Sequence, residues 1–84
     1  MRRDPLAKKF YASAQWKRLR EQVLRANDYL CQMCIQVEIL EPAVTVHHTV
    51  PIRENYSLRA EWTNLVPLCE GCHNQMHKEK GGNH

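Results

Sequence analysis

No stretch of this chain approaches the roughly 18 consecutive apolar residues that a membrane-spanning helix requires. The first residues are charged and no apolar segment follows them, so a secretory leader is not expected either. Aromatic side chains are scarce: one Phe, three Tyr and two Trp in 84 residues, within a hydrophobic content of 43%, support only a modest core. A chain this short buries little apolar surface and commonly needs a staple, either disulfides or a metal. Internal repeats, low-complexity tracts and interdomain linkers are absent, so a single domain is expected. Without a leader or span, a cytoplasmic location is expected. In that reducing compartment four cysteines read as metal ligands before disulfides.

What charge there is lies unevenly. The net value is +3 and the isoelectric point is near 8.8. Residues 1–25 carry eight Lys and Arg against Asp4 and Glu21, a local charge of +6. Residues 26–84 carry four against seven acids, or −3. A basic end on a slightly acidic body fits a polyanionic partner, although a solvated helix face explains the same charges.

Residues 1–10 (MRRDPLAKKF) read as a flexible basic arm. Ser13 can cap a helix running to about Ala26, with Trp16, Leu19, Val23 and Ala26 as its apolar stripe. Lys17, Arg18, Arg20 and Arg25 lie largely off that stripe, free for phosphate contact or simply for solubility. Asn27 and Asp28 end the helix. Residues 43–48 (AVTVHH) alternate β-branched residues and read as a strand. A loop follows Pro51, with a helical turn near residues 58–61. Residues 64–68 (NLVPL) read as a return strand, and a last helix spans about 70–80 before Gly81 and Gly82 stop it. Trp16, Trp62, Leu65 and Leu68 read as core.

Cys31 and Cys34 form one CxxC pair, and Cys69 and Cys72 another, with 34 residues between them. Two such turns complete a tetrahedral four-thiolate site, which suits zinc and is structural because no position stays open for substrate. An iron–sulfur cluster, a redox pair or free core cysteines are the competing readings. The length between the pairs implies that the metal clamps the two ends of a module holding something else inside.

That something is a set of histidines. His73 and His77 stand four apart on the last predicted helix, so both imidazoles share a face. His47 and His48 end the first strand and point to opposite faces. One can ligate a metal while its neighbour faces a substrate water. His47, His73 and His77 would make a three-histidine set with open positions, the pattern of a catalytic rather than a structural metal site.

The segment VHHTVPI (46–52) followed by NLVPLCEGCHNQMH (64–77) closely resembles the HNH endonuclease signature, in the branch with flanking CxxC pairs. FYASAQWKRLREQVLRAND (10–28) resembles the helix that precedes the motif in small, often phage-encoded, members. The resemblance covers about residues 10–78. It implies an α+β fold, the small ββα-metal motif, with a basic helix before it and a four-cysteine zinc staple. The domain would span 11–80, with a disordered tail at 81–84.

The resemblance further implies a metal-dependent endonuclease hydrolysing phosphodiester bonds of double-stranded DNA. His48 would be the general base, and Asn64 would hold the loop that carries it. His47 and His73 would be ligands of a catalytic ion, with His77 an extra one. Many relatives have Asp where His47 stands. Nitrogen ligands favour Zn²⁺, Ni²⁺ or Co²⁺, whereas family members commonly use Mg²⁺ or Mn²⁺, so the ion stays open. DNA contacts are expected from Lys17, Arg18, Arg20 and Arg53, the last of which also reads as a plain loop cation. No element reads bases, so cleavage of low sequence specificity is expected, by nicking or by double-strand cutting. A phage enzyme working beside the terminase is the analogy this suggests. No small-molecule cofactor is expected. A non-catalytic zinc module binding DNA or protein, a degenerate nuclease and a structural dinuclear zinc protein are the alternatives. The first of these leaves His47, His48, Asn64, His73 and His77 unexplained as a set.

Overall fold

The computed structural model describes residues 5–81, with side chains described through Met76. Six elements organise it: α1 (Pro5–Tyr11), α2 (Ala14–Ala26), α3 (Gln32–Ile35), β1 (Thr45–His48), β2 (Leu65–Leu68) and α4 (Glu70–Gly81). Two short 3₁₀ turns, Tyr56–Leu58 and Trp62–Asn64, lie in the connection between the strands, where one helical turn at 58–61 was expected.

The strands pair antiparallel with Thr45 opposite Leu68, Val46 opposite Pro67, His47 opposite Val66 and His48 opposite Leu65. Residues directly opposite share a face, so Val46, His48, Leu65 and Pro67 lie on one side and Thr45, His47, Val66 and Leu68 on the other. Pro67 is tolerated because each strand of a two-stranded ribbon is an edge, and the missing N–H can point outward.

The first face packs on α1 and α2. Phe10, Trp16, Val23, Leu24, Val46, Ile52 and Leu65 form one buried cluster, with Ala7, Leu19 and Ala43 against it. The second face meets α4, which follows β2 almost directly.

Ser13 caps α2 as expected: its hydroxyl oxygen accepts from the Trp16 N–H at 3.1 Å and its own hydroxyl donates to the Phe10 carbonyl at 2.6 Å. Three calls differ. The segment expected to be an arm forms a helix from Pro5, a residue well suited to a first helical position, and buries Phe10 against Trp16 with ring centroids 5.5 Å apart. Residues 1–4 and the tail beyond Gly81 lie outside the described residues. Trp62 is not core: it is 47% exposed on its 3₁₀ turn. Leu24, which falls between the positions of the expected stripe, is buried in place of the exposed Ala26.

The α2 terminus turns sharply. Asp28 and Tyr29 both adopt left-handed conformations, φ 56° and 57°, which is uncommon for a non-glycine residue and strained for a bulky one. The Tyr29 N–H closes back on the Leu24 carbonyl at 2.8 Å. Leu30 then bridges to Pro42, and the Cys31 N–H donates to the Glu41 carbonyl at 2.8 Å. The turn thereby delivers Cys31 to the end of the ribbon.

Leu24→Ala is expected to cost about 2–5 kcal/mol in urea unfolding, the range for emptying a buried leucine site. Trp62→Ala is expected to cost about 1 kcal/mol or less. The reverse order would overturn this account of the core.

Candidate metal and catalytic site

Four sulfurs converge at one end of the molecule. The Sγ atoms of Cys31, Cys34, Cys69 and Cys72 all lie within 4.8 Å of one another. Cys34 Sγ stands 3.9 Å from Cys69 Sγ and 3.8 Å from Cys72 Sγ. A zinc–thiolate bond of ~2.3 Å in a tetrahedron separates its sulfurs by about 3.8 Å, so the donor set fits such an ion. Each CxxC pair starts a helix. Cys31 caps α3, and its carbonyl accepts from the Ile35 N–H at 3.1 Å. Cys69 sits just before α4, where its sulfur accepts from the Cys72 N–H at 3.4 Å.

The proton equilibria of the bare cluster point the same way. Burial opposes ionisation of Cys31, but hydrogen bonds from the Cys69 and Cys34 backbone and from neighbouring thiols bring it down to about 6. Its partners move up. Cys34 is pushed to about 12 by hydrogen bonding with Cys31 and then by burial, and Cys72 to about 11 by hydrogen bonding with Cys69 and then by burial. One thiolate is easily formed there and further ones are resisted, which is the electrostatic environment a cation would relieve.

His47 and His73 come together across the second face of the ribbon, ring centroids 5.6 Å apart at an interplanar angle of 72°. His47 is buried and His73 half-buried. One ring comes from β1 and the other from the second turn of α4, and two imidazoles in this relation fit a divalent ion between ribbon and helix. His77 lies on α4 one turn further on; its side chain is outside those described.

His48 faces the other way. Its ring packs against Trp16 at 5.3 Å, Tyr11 at 5.6 Å and Phe10 at 6.5 Å between centroids. Nε2 is 2.8 Å from the Arg59 carbonyl oxygen, and a carbonyl can only accept, so Nε2 carries the proton. Nδ1 is then the acceptor, 3.1 Å from the Tyr11 hydroxyl. Burial holds the His48 pKa below the ordinary 6.5, partly offset by the Arg59 hydrogen bond. Burial also raises the Tyr11 phenol above its usual value, so it stays a neutral donor.

Asn64 is buried at the start of β2 and binds the backbone of the turn after His48. Its Oδ1 accepts from the Val50 N–H at 2.7 Å, and its Nδ2 donates to the carbonyls of Val50 and Leu58, both at 3.1 Å. The Asn64 carbonyl also accepts from the Thr49 N–H at 2.9 Å. An amide can serve both backbone groups of one residue because it donates and accepts at once.

The basic residues separate. Lys17, Arg18 and Arg53 are exposed, while Arg20 is half-buried and donates to the Val44 carbonyl at 3.2 Å, bracing α2 against the approach to β1. Tyr11 and Arg59 escaped the sequence reading. The Arg59 guanidinium lies 3.9 Å over the Tyr56 ring and 5.8 Å from the Phe10 ring. Neither residue belongs to a recognisable spacing. The only available signal was the position of Tyr11 beside Phe10, inside the segment that resembled the family.

A two-stranded ribbon, a helix across it, facing histidines between them and a four-sulfur cluster alongside define a ββα-metal nuclease. The HNH endonuclease pattern matches residues 31–79, and the chain belongs to that family. Its fold is similar to the crystal structure of the HNH endonuclease of the deep-sea thermophilic bacteriophage GVE2 with manganese ion. The TM-score is 0.88 at 37% identity, covering 94% of this chain and 86% of that one. The chain is also 31% identical over 62 residues to anaredoxin of Nostoc sp., covering 74% of this chain and 75% of the relative. Among the described residues no helix is long and apolar enough to cross a membrane.

Cys31→Ser is expected to lose the cluster's metal and the cooperative melting transition. Metal binding at such sites is worth about 10–16 kcal/mol in small zinc modules, comparable to the entire stability of a typical domain. Metal content by atomic emission and thermal melting check this. A metal-free variant melting like wild type would remove the cluster's role as staple.

Proposed function

We propose that this nuclease cleaves double-stranded DNA by hydrolysis, with His48 as general base and Asn64 as its positioning residue. His47, His73 and His77 hold the catalytic divalent ion, and the four cysteines hold a structural zinc. The observation that carries this reading is the division of labour along β1. Adjacent imidazoles leave the strand on opposite faces, His47 towards His73 and His48 into a cage that fixes its tautomer.

His47 and His73 would hold a divalent ion, which when bound would supply Lewis-acid stabilisation of charge on the phosphate and on the leaving oxygen. The chain's own residues do the rest. His48 is kept neutral by burial and presents one lone pair, at Nδ1, to receive the proton of the attacking water. Asn64 clamps the N–H and the carbonyl of Val50, so the turn that follows the base cannot drift as charge develops on the ring. The expected products are a 5′-phosphate and a 3′-hydroxyl. Lys17, Arg18 and Arg53 contribute phosphate contacts, which makes affinity fall steeply with salt. The enzyme would act beside the terminase in phage genome packaging, in the host cytoplasm; the relative from a bacteriophage supports the phage origin alone.

Conversion of supercoiled plasmid to nicked and linear forms tests the reading. Loosely bound metal is stripped, and Mg²⁺, Mn²⁺, Ni²⁺ or Zn²⁺ is returned separately. Wild type is expected to cut with at least one ion, and His48→Ala to lose ~10²–10⁴-fold or more in rate while keeping its zinc. Metal-loaded wild type that shifts DNA without cutting it would favour a binding module.

The pH profile is a second check. A depressed His48 pKa means the neutral, proton-accepting form persists below pH 6.5 and is lost only as pH falls through the lowered value. The acid limb of kcat/KM, which reports the free enzyme, is therefore expected below about 6.5. An acid limb above that value would count against His48.

A further inference from the structure

We propose that the Tyr11 hydroxyl is the proton relay through which His48 reaches the attacking water, an inference that rests on the reading of His48 as the base. His48 has a single acceptor nitrogen. Nε2 must donate to the Arg59 carbonyl, which leaves Nδ1, and Nδ1 is engaged by the Tyr11 hydroxyl at 3.1 Å. The His48 residue is only 5% exposed, enclosed by Phe10, Tyr11 and Trp16. Tyr11 is 43% exposed, so solvent reaches this residue far more readily than it reaches His48.

The polarity of the existing hydrogen bond suits a relay. The phenol already donates to Nδ1, and its oxygen keeps lone pairs that can accept from a water on the solvent side. Water gives a proton to the Tyr11 oxygen while the phenolic proton passes to Nδ1. The resulting hydroxide oxygen bonds to phosphorus, the bond from phosphorus to the 3′ oxygen breaks, and that oxygen leaves with the electron pair and takes a proton from solvent. His48 then returns its proton along the same path, restoring both groups.

The phenol is held for this role. Tyr11 ends α1, beside the buried Phe10, and its ring stands edge-on to Trp16 with centroids 5.4 Å apart. Trp16 is in turn fixed by the Ser13 cap of α2. The segment expected to be a loose arm thus places one hydroxyl against the base.

Tyr11→Phe keeps the ring and its packing and removes only the oxygen. With the metal-loaded full chain at saturating plasmid, it is expected to lower kcat about 10²-fold, the lower end of what a proton-transfer group contributes, with KM little changed. Adding Tyr11→Phe to His48→Ala is expected to cost nothing further, since both act on one path. A Tyr11→Phe rate at or above wild type, with His48→Ala inactive, overturns the relay but leaves His48 as base, the hydroxyl then being a cap that steps aside. Full activity in His48→Ala overturns both. A readout independent of cleavage is the ¹⁵N spectrum of the His48 ring, taken without the catalytic ion. Wild type is expected to show the Nε2–H form, and Tyr11→Phe to move the Nδ1 resonance towards that of an acceptor without a donor. An unmoved Nδ1 overturns the proposal by removing the hydrogen bond on which it stands.

Discussion

Two paired strands of four residues each have too little ladder to hold themselves together in water, and His47, His48 and Asn64 all lie on those strands or at their ends. What holds them is applied from outside. One clamp is the apolar cluster of Phe10, Trp16, Val23 and Leu24 against Val46 and Leu65. The other is the set of four sulfurs, which joins the start of α3 to the start of α4. Because Cys69 directly follows β2, a metal at the cluster also fixes where α4 begins and so where His73 lies against His47.

The ribbon sends two neighbouring imidazoles to opposite faces. His47 shares its face with Leu68 and meets α4; His48 shares its face with Leu65 and meets α1 and α2. A metal-binding imidazole and a proton-accepting one have opposed needs. The first wants an approaching cation, the second a dry cage that keeps it neutral and one nitrogen held by a carbonyl. In the proposed reading, with His47 on a cation and His48 as base, placing both on a single face would set the cation's field against the base. Strand alternation gives each its own environment, and the Asn64 amide then fixes the turn after β1 through both the N–H and the carbonyl of Val50.

Much of this was legible in the chain. The cap at Ser13, the break at Asn27 and Asp28, both strands and the last helix follow from local chemistry acting over a few residues. The CxxC pairs also announce themselves, because metal geometry imposes short spacings. Trp62 was misjudged because burial is not local: a large apolar side chain on a 3₁₀ turn has nothing above it here. The segment before Ser13 was misjudged because its charges resemble a solvated arm, whereas Phe10 finds a pocket between Trp16 and the ribbon that exists only after folding.

The sequence by itself determined the ligand chemistry, the pairing of cysteines into one four-sulfur set and the divergence of His47 from His48, because each depends on spacing and period. Only the tertiary structure decided which nitrogen of His48 bears its proton, what meets the other nitrogen, and which basic residue is spent on bracing the fold. Tyr11 is 37 residues from His48 along the chain and Arg59 is 11. No periodicity links positions that distant; they meet because α1 and the inter-strand turns close over the same face of the ribbon.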